Sequence, residues 1–434
     1  MNKTKKIAVM TSGGDAPGMN AAVRGAIRTA LNLGWETYGI KDAYRGLTEG
    51  DENIVPLDWL DVGFPFREGG TFLGSARYTG IQGDSSKAWN LKEKALMNLK
   101  QHGITGLLVI GGDGSLTGAY ELYNFLEQNR ETLPSLEKMT LSIIGIPGSI
   151  DNDIACTSMS IGVDTTLNTI VESIDKLRDT ATSHKRISIV EVMGRRRGYL
   201  AVMSGLASGA DRIFIGEEKI NQEDLNNMLN VLHQSFLNGQ RAGVIVRSEG
   251  ASFSTSFLKE TISELLEPRR DVRETVLGYL QRGGSPTAFE RALATRMGVK
   301  AVTLLDRDLS EPQLVNFVDN EIKSVPLKLF VKKVREQEFQ TELSPNAKKA
   351  LQLAIQLEEP PVKKSAKLKI ALITDGNNVS GMNMALRSVA RLALNNGIEV
   401  RGIKGGFAGL HKINNNLLNL EWDMLEMKGV LRRA

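Results

Sequence analysis

Gly106-Leu107-Leu108-Val109-Ile110-Gly111-Gly112-Asp113-Gly114-Ser115 reads as a strand running straight into a glycine loop, and Leu116-Thr117-Gly118-Ala119-Tyr120-Glu121-Leu122 after it reads as a helix. Strand, glycine loop and helix in that order are the unit of an α/β fold. Bare glycines let backbone N–H groups close on phosphate oxygens at a helix N-terminus, and an Asp in such a loop can hold the Mg²⁺ that accompanies a nucleotide. A tight turn with no ligand, or the GGDG loop of another kinase class, reads the same way locally.

Two flanking segments extend the pattern. Ile143-Ile144-Gly145-Ile146 is an apolar run that enters Pro147-Gly148-Ser149-Ile150-Asp151-Asn152-Asp153. Pro147 fixes φ, Gly148 lets a ligand approach the backbone, and Asp151 and Asp153 fall at the carboxyl end of a strand, where open α/β sheets bind ligands. An Asx-turn is the plainer alternative. At the start of the chain, Lys6–Met10 reads as a first strand, Thr11-Ser12-Gly13-Gly14-Asp15-Ala16-Pro17-Gly18-Met19-Asn20 as a loop, and the stretch to about Leu33 as a helix. Three such units point to one shared cleft.

Together with Met193-Gly194-Arg195 and Leu277-Gly278-Tyr279-Leu280-Gln281-Arg282-Gly283-Gly284-Ser285-Pro286, these segments closely resemble the ATP-dependent 6-phosphofructokinase family, from residue 6 to about 310 and with the motifs in the family's order. The resemblance implies an α/β fold of two Rossmann-like parallel-sheet lobes. It implies ATP-dependent phosphorylation of the 1-hydroxyl of fructose 6-phosphate, a step of glycolysis, with Mg²⁺ held near Asp113. Gly13, Gly14, Tyr44, Arg77, Tyr78, Asp113, Gly114, Ser115 and Gly118 match nucleotide-contacting positions. Asp151 matches the base, Asp153 a residue that orients the site, and Arg77 and Arg195 groups that face developing charge. Ser149, Arg186, Met193, Gly194, Arg195, Glu249, Arg273, Tyr279 and Arg282 match sugar-phosphate positions, with Arg186 and Arg273 reaching in from a neighbouring subunit. That sharing implies a homo-oligomer, a homotetramer in the family's pattern.

Two departures from that pattern affect the sugar-phosphate pocket. Ser149 replaces the usual Thr and keeps the hydroxyl, whereas Tyr279 replaces a frequent His and is bulkier. Pyrophosphate-dependent relatives carry Asp at the position of Gly114 and Lys at that of Gly148; glycine at both favours ATP, leaving the pyrophosphate-dependent enzyme as the alternative. Arg24, Arg28 and Arg178 match effector-binding arginines, but Trp59 stands where another arginine is expected and Asp211 where a metal-binding Glu is. Arg24 and Arg28 are one helical turn apart, so a surface ion-pairing face is the competing reading.

The chain has 434 residues, 54 basic and 50 acidic, with 41% hydrophobic content. That is enough for a sizeable core, and the small net charge gives no argument for nucleic acid. Cys156 is the single cysteine, so an intrachain disulfide is excluded and a reducing cytoplasm is expected. No apolar run reaches a membrane span's length, and Met1–Lys6 leads into a strand without a signal-peptide core.

The sequence also repeats itself. Ile370 falls on Ile7, 363 residues on, and from Lys6–Leu47 against Lys369–Leu410 the match is gapless, with 21 of 42 positions identical. The chemistry is lost in the copy: Ser12-Gly13-Gly14-Asp15 becomes Asp375-Gly376-Asn377-Asn378 and Tyr44 becomes Phe407. The expected organisation is a catalytic region over 1–345, a polar connector over 346–367 and a partial second repeat over 368–434. A partial repeat is expected to leave an uncovered sheet edge and helix face and to be the least stable part, and a non-catalytic or truncated regulatory chain is a further alternative.

Overall fold

The structure, a computed structural model, describes residues 4–237, 240–266, 269–307, 309, 311–337, 343–358, 368–377, 379–412 and 416–421. In chain order it begins β1 (Lys6–Ser12), α1 (Met19–Asn32), β2 (Glu36–Ile40), α2 (Ala43–Glu49), β3 (Ile54–Pro56), α3 (Ser86–Gln101), β4 (Gly106–Gly111), α4 (Asp113–Asn129) and β5 (Ser142–Pro147). There follow α5 (Val163–His184), β6 (Ile187–Val192), α6 (Tyr199–Ser208), β7 (Arg212–Phe214), α7 (Gln222–Leu237), β8 (Gly243–Ser248), α8 (Thr255–Leu265) and β9 (Val272–Val276). The last part holds α9 (Ala288–Asp306), β10 (Gln313–Val318), β11 (Glu321–Pro326), α10 (Leu327–Gln337), α11 (Pro345–Glu358), β12 (Lys369–Ile373), α12 (Met382–Asn395), β13 (Glu399–Ile403) and β14 (Leu417–Leu420).

The chain divides into two compact units, one of residues 1–169 and 278–341, the other of 170–277 and 342–434. In the first, a seven-stranded sheet has the order β11-β10-β5-β4-β1-β2-β3, parallel from β10 to β2, with antiparallel β11 and β3 at its edges. The six residues of β4 are all buried, as continuous apolar central strands covered on both faces must be. Because β5, β4 and β1 are adjacent and parallel, their following loops emerge side by side at one sheet end. Helices α1 and α9 cross where side chains are absent: a Cβ on Gly25 would lie 2.6 Å from the Thr295 carbonyl oxygen, and one on Gly298 would lie 2.2 Å from that of Ala22.

The second unit contains a parallel four-stranded sheet, β7-β8-β6-β9, and a three-stranded sheet, β12-β13-β14. The latter continues the duplication past the point where identity fades. Tyr38 pairs with Pro56 across β2 and β3, and Arg401 pairs with Asn419 across β13 and β14, the same partners 363 residues on. Residues 346–358 of the expected connector lie in helix α11, which packs on α6 and α12, and 359–367 lie outside the described residues. The repeat therefore has a covering surface, with Ala390, Ala393, Val400 and Leu420 forming a small core, while Val379, Met384, Val389 and Leu392 remain exposed. Among the described residues no helix is long and apolar enough to cross a membrane.

Candidate active site

The glycine loops of the first unit are tied together by short hydrogen bonds. Ser115 on the first turn of α4 donates its hydroxyl to that of Ser12 at 2.8 Å, and the buried Tyr44 donates to the Ser115 carbonyl at 2.6 Å. Burial, reinforced by Glu121, holds the Tyr44 phenol well above its usual range, so it stays a donor. Gly13 donates its N–H to Ala76 (3.2 Å) and accepts from the Ser75 hydroxyl (2.6 Å), which brings the segment carrying Arg77 and Tyr78 against the first loop. Arg77 is exposed and Tyr78 half-buried. Gly13 stands at φ +92° and would place a Cβ 3.2 Å from the Ser115 hydroxyl, whereas one on Gly14 would displace the guanidinium of Arg282 and one on Gly118 would make ordinary contact with the Tyr44 ring at 3.4 Å. Gly114 is open, with only the Gln82 side chain 3.4 Å from where a Cβ would be.

The neighbouring loop carries the two carboxylates. Gly148 donates its N–H to the Gly111 carbonyl at 2.9 Å, which ties the start of the Asp151 turn to the end of β4, two residues before Asp113 opens α4. Ser149 donates its hydroxyl to Asp153 at 2.9 Å and accepts from the Asp151 N–H at 3.3 Å. Asn152, at φ +50°, turns the chain between them and receives the Ser160 N–H on its side-chain oxygen at 3.1 Å. Asp151, Asp153 and Asp113 are all half-buried. Among the described residues no group of three or more His, Cys, Asp or Glu side chains could cage a metal, and Asp113 at the start of α4 is the carboxylate that the glycine loop would offer a cation. That donor set fits Mg²⁺, which keeps few protein ligands.

Arg282 has its Nη1 3.8 Å from Asp15, while Tyr279 is 81% exposed, with the Arg282 guanidinium 5.9 Å from its ring. In the second unit, Glu249 accepts from the N–H groups of Gly194 (3.2 Å) and Arg195, pinning the Met193–Arg195 loop. Gly194 stands at φ +144° and Arg195 at φ +56°, a strained turn for a side-chain residue. Arg186 and Arg273 converge on one carboxylate, with contacts of 2.6 and 3.0 Å to Asp271. Burial works to raise the Asp271 pKa, but Arg273 and Arg186 outweigh it and hold the carboxyl below its usual range.

The candidate effector arginines are already engaged. Arg24 lies over the Phe66 ring at 4.7 Å and Arg28 over Trp59 at 4.3 Å. Arg178, in the second unit, donates to the carbonyls of Ser208 and Gly209 at the end of α6 (2.6 and 2.8 Å). Asp211 is half-buried and accepts from the Val244 N–H and the Gln240 amide, both at 2.6 Å. Two residues that the motifs passed over also stand out: Glu290, fully buried beneath Gly18, and Glu358, the acceptor for two arginines of α12. The Thr287-x-x-Glu290 capping pattern was a readable signal for the first; nothing local marks the second.

Comparisons with known proteins show the family. A family profile for phosphofructokinase matches residues 6–305 and 369–434. The chain is 38% identical to the rat (Rattus norvegicus) ATP-dependent 6-phosphofructokinase, liver type, over 94% of its own length but 55% of that protein, so it spans about half the mammalian relative. It is 48% identical to the ATP-dependent 6-phosphofructokinase of Vibrio vulnificus, over 69% of this chain and 86% of the bacterial one. Phosphofructokinase from Saccharomyces cerevisiae superposes with a TM-score of 0.89 and 32% identity, covering 98% of this chain and 60% of the yeast chain. The chain belongs to the phosphofructokinase family.

Proposed function

We propose that the chain transfers the γ-phosphoryl group of MgATP to the 1-hydroxyl of fructose 6-phosphate, giving fructose 1,6-bisphosphate and ADP. The observation that carries this is the hydrogen bond from Gly148 to Gly111, which sets the Asp151 turn beside the glycine loop of Asp113. Asp151 takes the proton of the attacking hydroxyl on its carboxylate, and Asp153, fixed by Ser149, orients that turn. The N–H groups at the start of α4, with Gly13 and Gly14 alongside, cradle phosphate oxygens, and Arg77 and Arg195 offset charge as it spreads over the transferred group. Mg²⁺, held through Asp113, neutralises phosphate charge when bound. Arg282 and Tyr279 bind the sugar phosphate with Met193, Gly194 and Glu249, Glu249 acting through the loop it pins, and Arg186 and Arg273 reach into that site from a neighbouring subunit.

ATP is the donor in this reading because Gly114 leaves space for the nucleotide, while at Gly148 a Cβ would already stand 3.0 Å from the Met19 methyl. The reading extends to a cytoplasmic homotetramer, regulated through Arg24, Arg28 and Arg178, with residues 1–345 catalytic and 368–434 a partial repeat. A coupled assay on purified protein tests the activity. Turnover with pyrophosphate and none with ATP would overturn the donor assignment, and binding of both substrates without turnover would favour a non-catalytic chain. Light scattering tests the assembly.

A further inference from the structure

Glu290 sits where three loops of the first unit meet. Thr287 caps α9, its hydroxyl accepting the Glu290 N–H at 3.1 Å, and a capping box would return the glutamate carboxylate to the N–H of the cap residue. It does not return. The carboxylate turns to the first turn of α5 and accepts from the Thr165 N–H (3.2 Å) and the Thr165 hydroxyl (3.3 Å), while the Thr287 N–H donates to that same hydroxyl oxygen at 3.2 Å. The Thr287 hydroxyl donates to Asp164. One fully buried carboxylate thus joins the starts of two helices.

Each of the three loops is one step away. A Cβ on Gly18 would lie 2.8 Å from the Cγ of Glu290, so this side chain is the floor under the end of the first glycine loop. Ile161, just before α5, donates its N–H to Pro147 (3.0 Å) and accepts from Ser149 (3.1 Å), so the Asp151 turn hangs on the segment that Glu290 anchors. Thr166 donates its hydroxyl to the Gln281 carbonyl at 2.8 Å, fixing the residue before Arg282.

We propose that Glu290 is a positioning residue that holds the loop of Gly13–Gly18, the turn of Asp151 and the segment of Arg282 in register from beneath, without touching substrate. This rests on the reading that those loops bind the nucleotide and the sugar phosphate. Burial pushes the Glu290 carboxyl up to about 7; the Gly162 and Thr165 N–H groups oppose this, and Asp164 adds to it. From α5 the charged group facing it is Asp164, while Gly18 and Ile161 present no charge. The neutral acid keeps its seat under Gly18. The ionised form is a buried charge that gains by moving toward water, and that movement loosens the loops above it.

The test compares the full-length chain with its Glu290→Gln variant, which keeps shape and an acceptor but cannot ionise. The expected result is a wild-type-to-variant ratio of kcat/KM for MgATP that is constant below about pH 6 and falls about 3-fold or more by about pH 8. Groups shared by the two proteins cancel in the ratio. Over the same range, amide protection of residues 16–22 and 148–153 should fall in the wild type relative to the variant. Protection that tracks identically in both proteins overturns the proposal, as does a variant that is destabilised equally at every pH, the mark of a purely structural residue. If the wild type shows no turnover, the functional reading fails by itself, and the exchange comparison still decides the role of Glu290.

Discussion

The guanidinium of Arg387 grips both carboxylate oxygens of Glu358 at 2.9 Å, and Arg391, one turn along α12, donates to the same carboxylate and to the Leu357 carbonyl. Glu358 is 7% and Arg391 1% exposed, and Gly209 backs the pair so closely that a Cβ there would stand 3.2 Å from Arg387. Arg387 and Arg391 are the counterparts of Arg24 and Arg28, which in the first copy face aromatic rings. The same helix face thus serves the second copy as an anchor onto α11.

Removing the anion should undock that helix. Glu358→Gln leaves two guanidinium groups buried beside a neutral amide, a loss of about 3–5 kcal/mol for a broken buried pair. Hydrogen exchange across Met382–Asn395 should accelerate strongly, while the first unit keeps its protection. Unchanged exchange in α12 would mean that apolar contacts alone hold it.

Asp151→Asn keeps the shape of the turn and removes the base. Turnover should drop by about 10²-fold or more with little change in substrate binding. A variant with wild-type kcat would remove Asp151 from the chemistry.

Gly114→Asp adds a carboxylate in open space: beyond its own helix, the neighbour of the new Cβ among the described residues is the Gln82 amide at 3.4 Å. The melting temperature should stay within about 2 °C, as for surface substitutions, whereas KM for MgATP should rise about 10-fold or more through repulsion of phosphate. Steady-state kinetics with ATP varied checks this, and an unaltered KM would sink the donor argument.

Arg273→Ala removes a charge-assisted contact distant from the reacting oxygen and should chiefly raise KM for fructose 6-phosphate, by about 10-fold or more. An effect confined to kcat would place Arg273 elsewhere in the mechanism.

Stability should also carry the mark of Glu290. Its folded pKa of about 7 lies above the unfolded value of 4.5, so the native state binds the extra proton between these limits. The contribution is full below about pH 4.5 and is lost as pH rises through about 7, a swing of about 3 kcal/mol. Denaturant titrations at several pH values should show it as a difference between the wild type and Glu290→Gln. A pH-independent difference would refute the shifted carboxyl.

The sequence by itself determined the units and their order, because strand-to-glycine-loop-to-helix transitions are local: the apolar runs of β1, β4 and β5 and the glycine loops that follow them are written in consecutive residues. It also determined the duplication, whose 363-residue offset survives in the pairing of β13 with β14. The tertiary structure decided what depends on partners distant in the chain. Glu290 reads as a helix cap until Thr165, 125 residues away, takes its carboxylate. The expected connector holds an α-helix whose last described residue, Glu358, is burial-matched to arginines some 30 residues on. The second repeat, expected to leave a sheet edge and a helix face uncovered, has α11 packed on α12, while Met384, Val389 and Leu392 of that helix stay exposed. A side chain's desolvation and its hydrogen-bond partners are set by what packs against it, and local pattern carries no record of that.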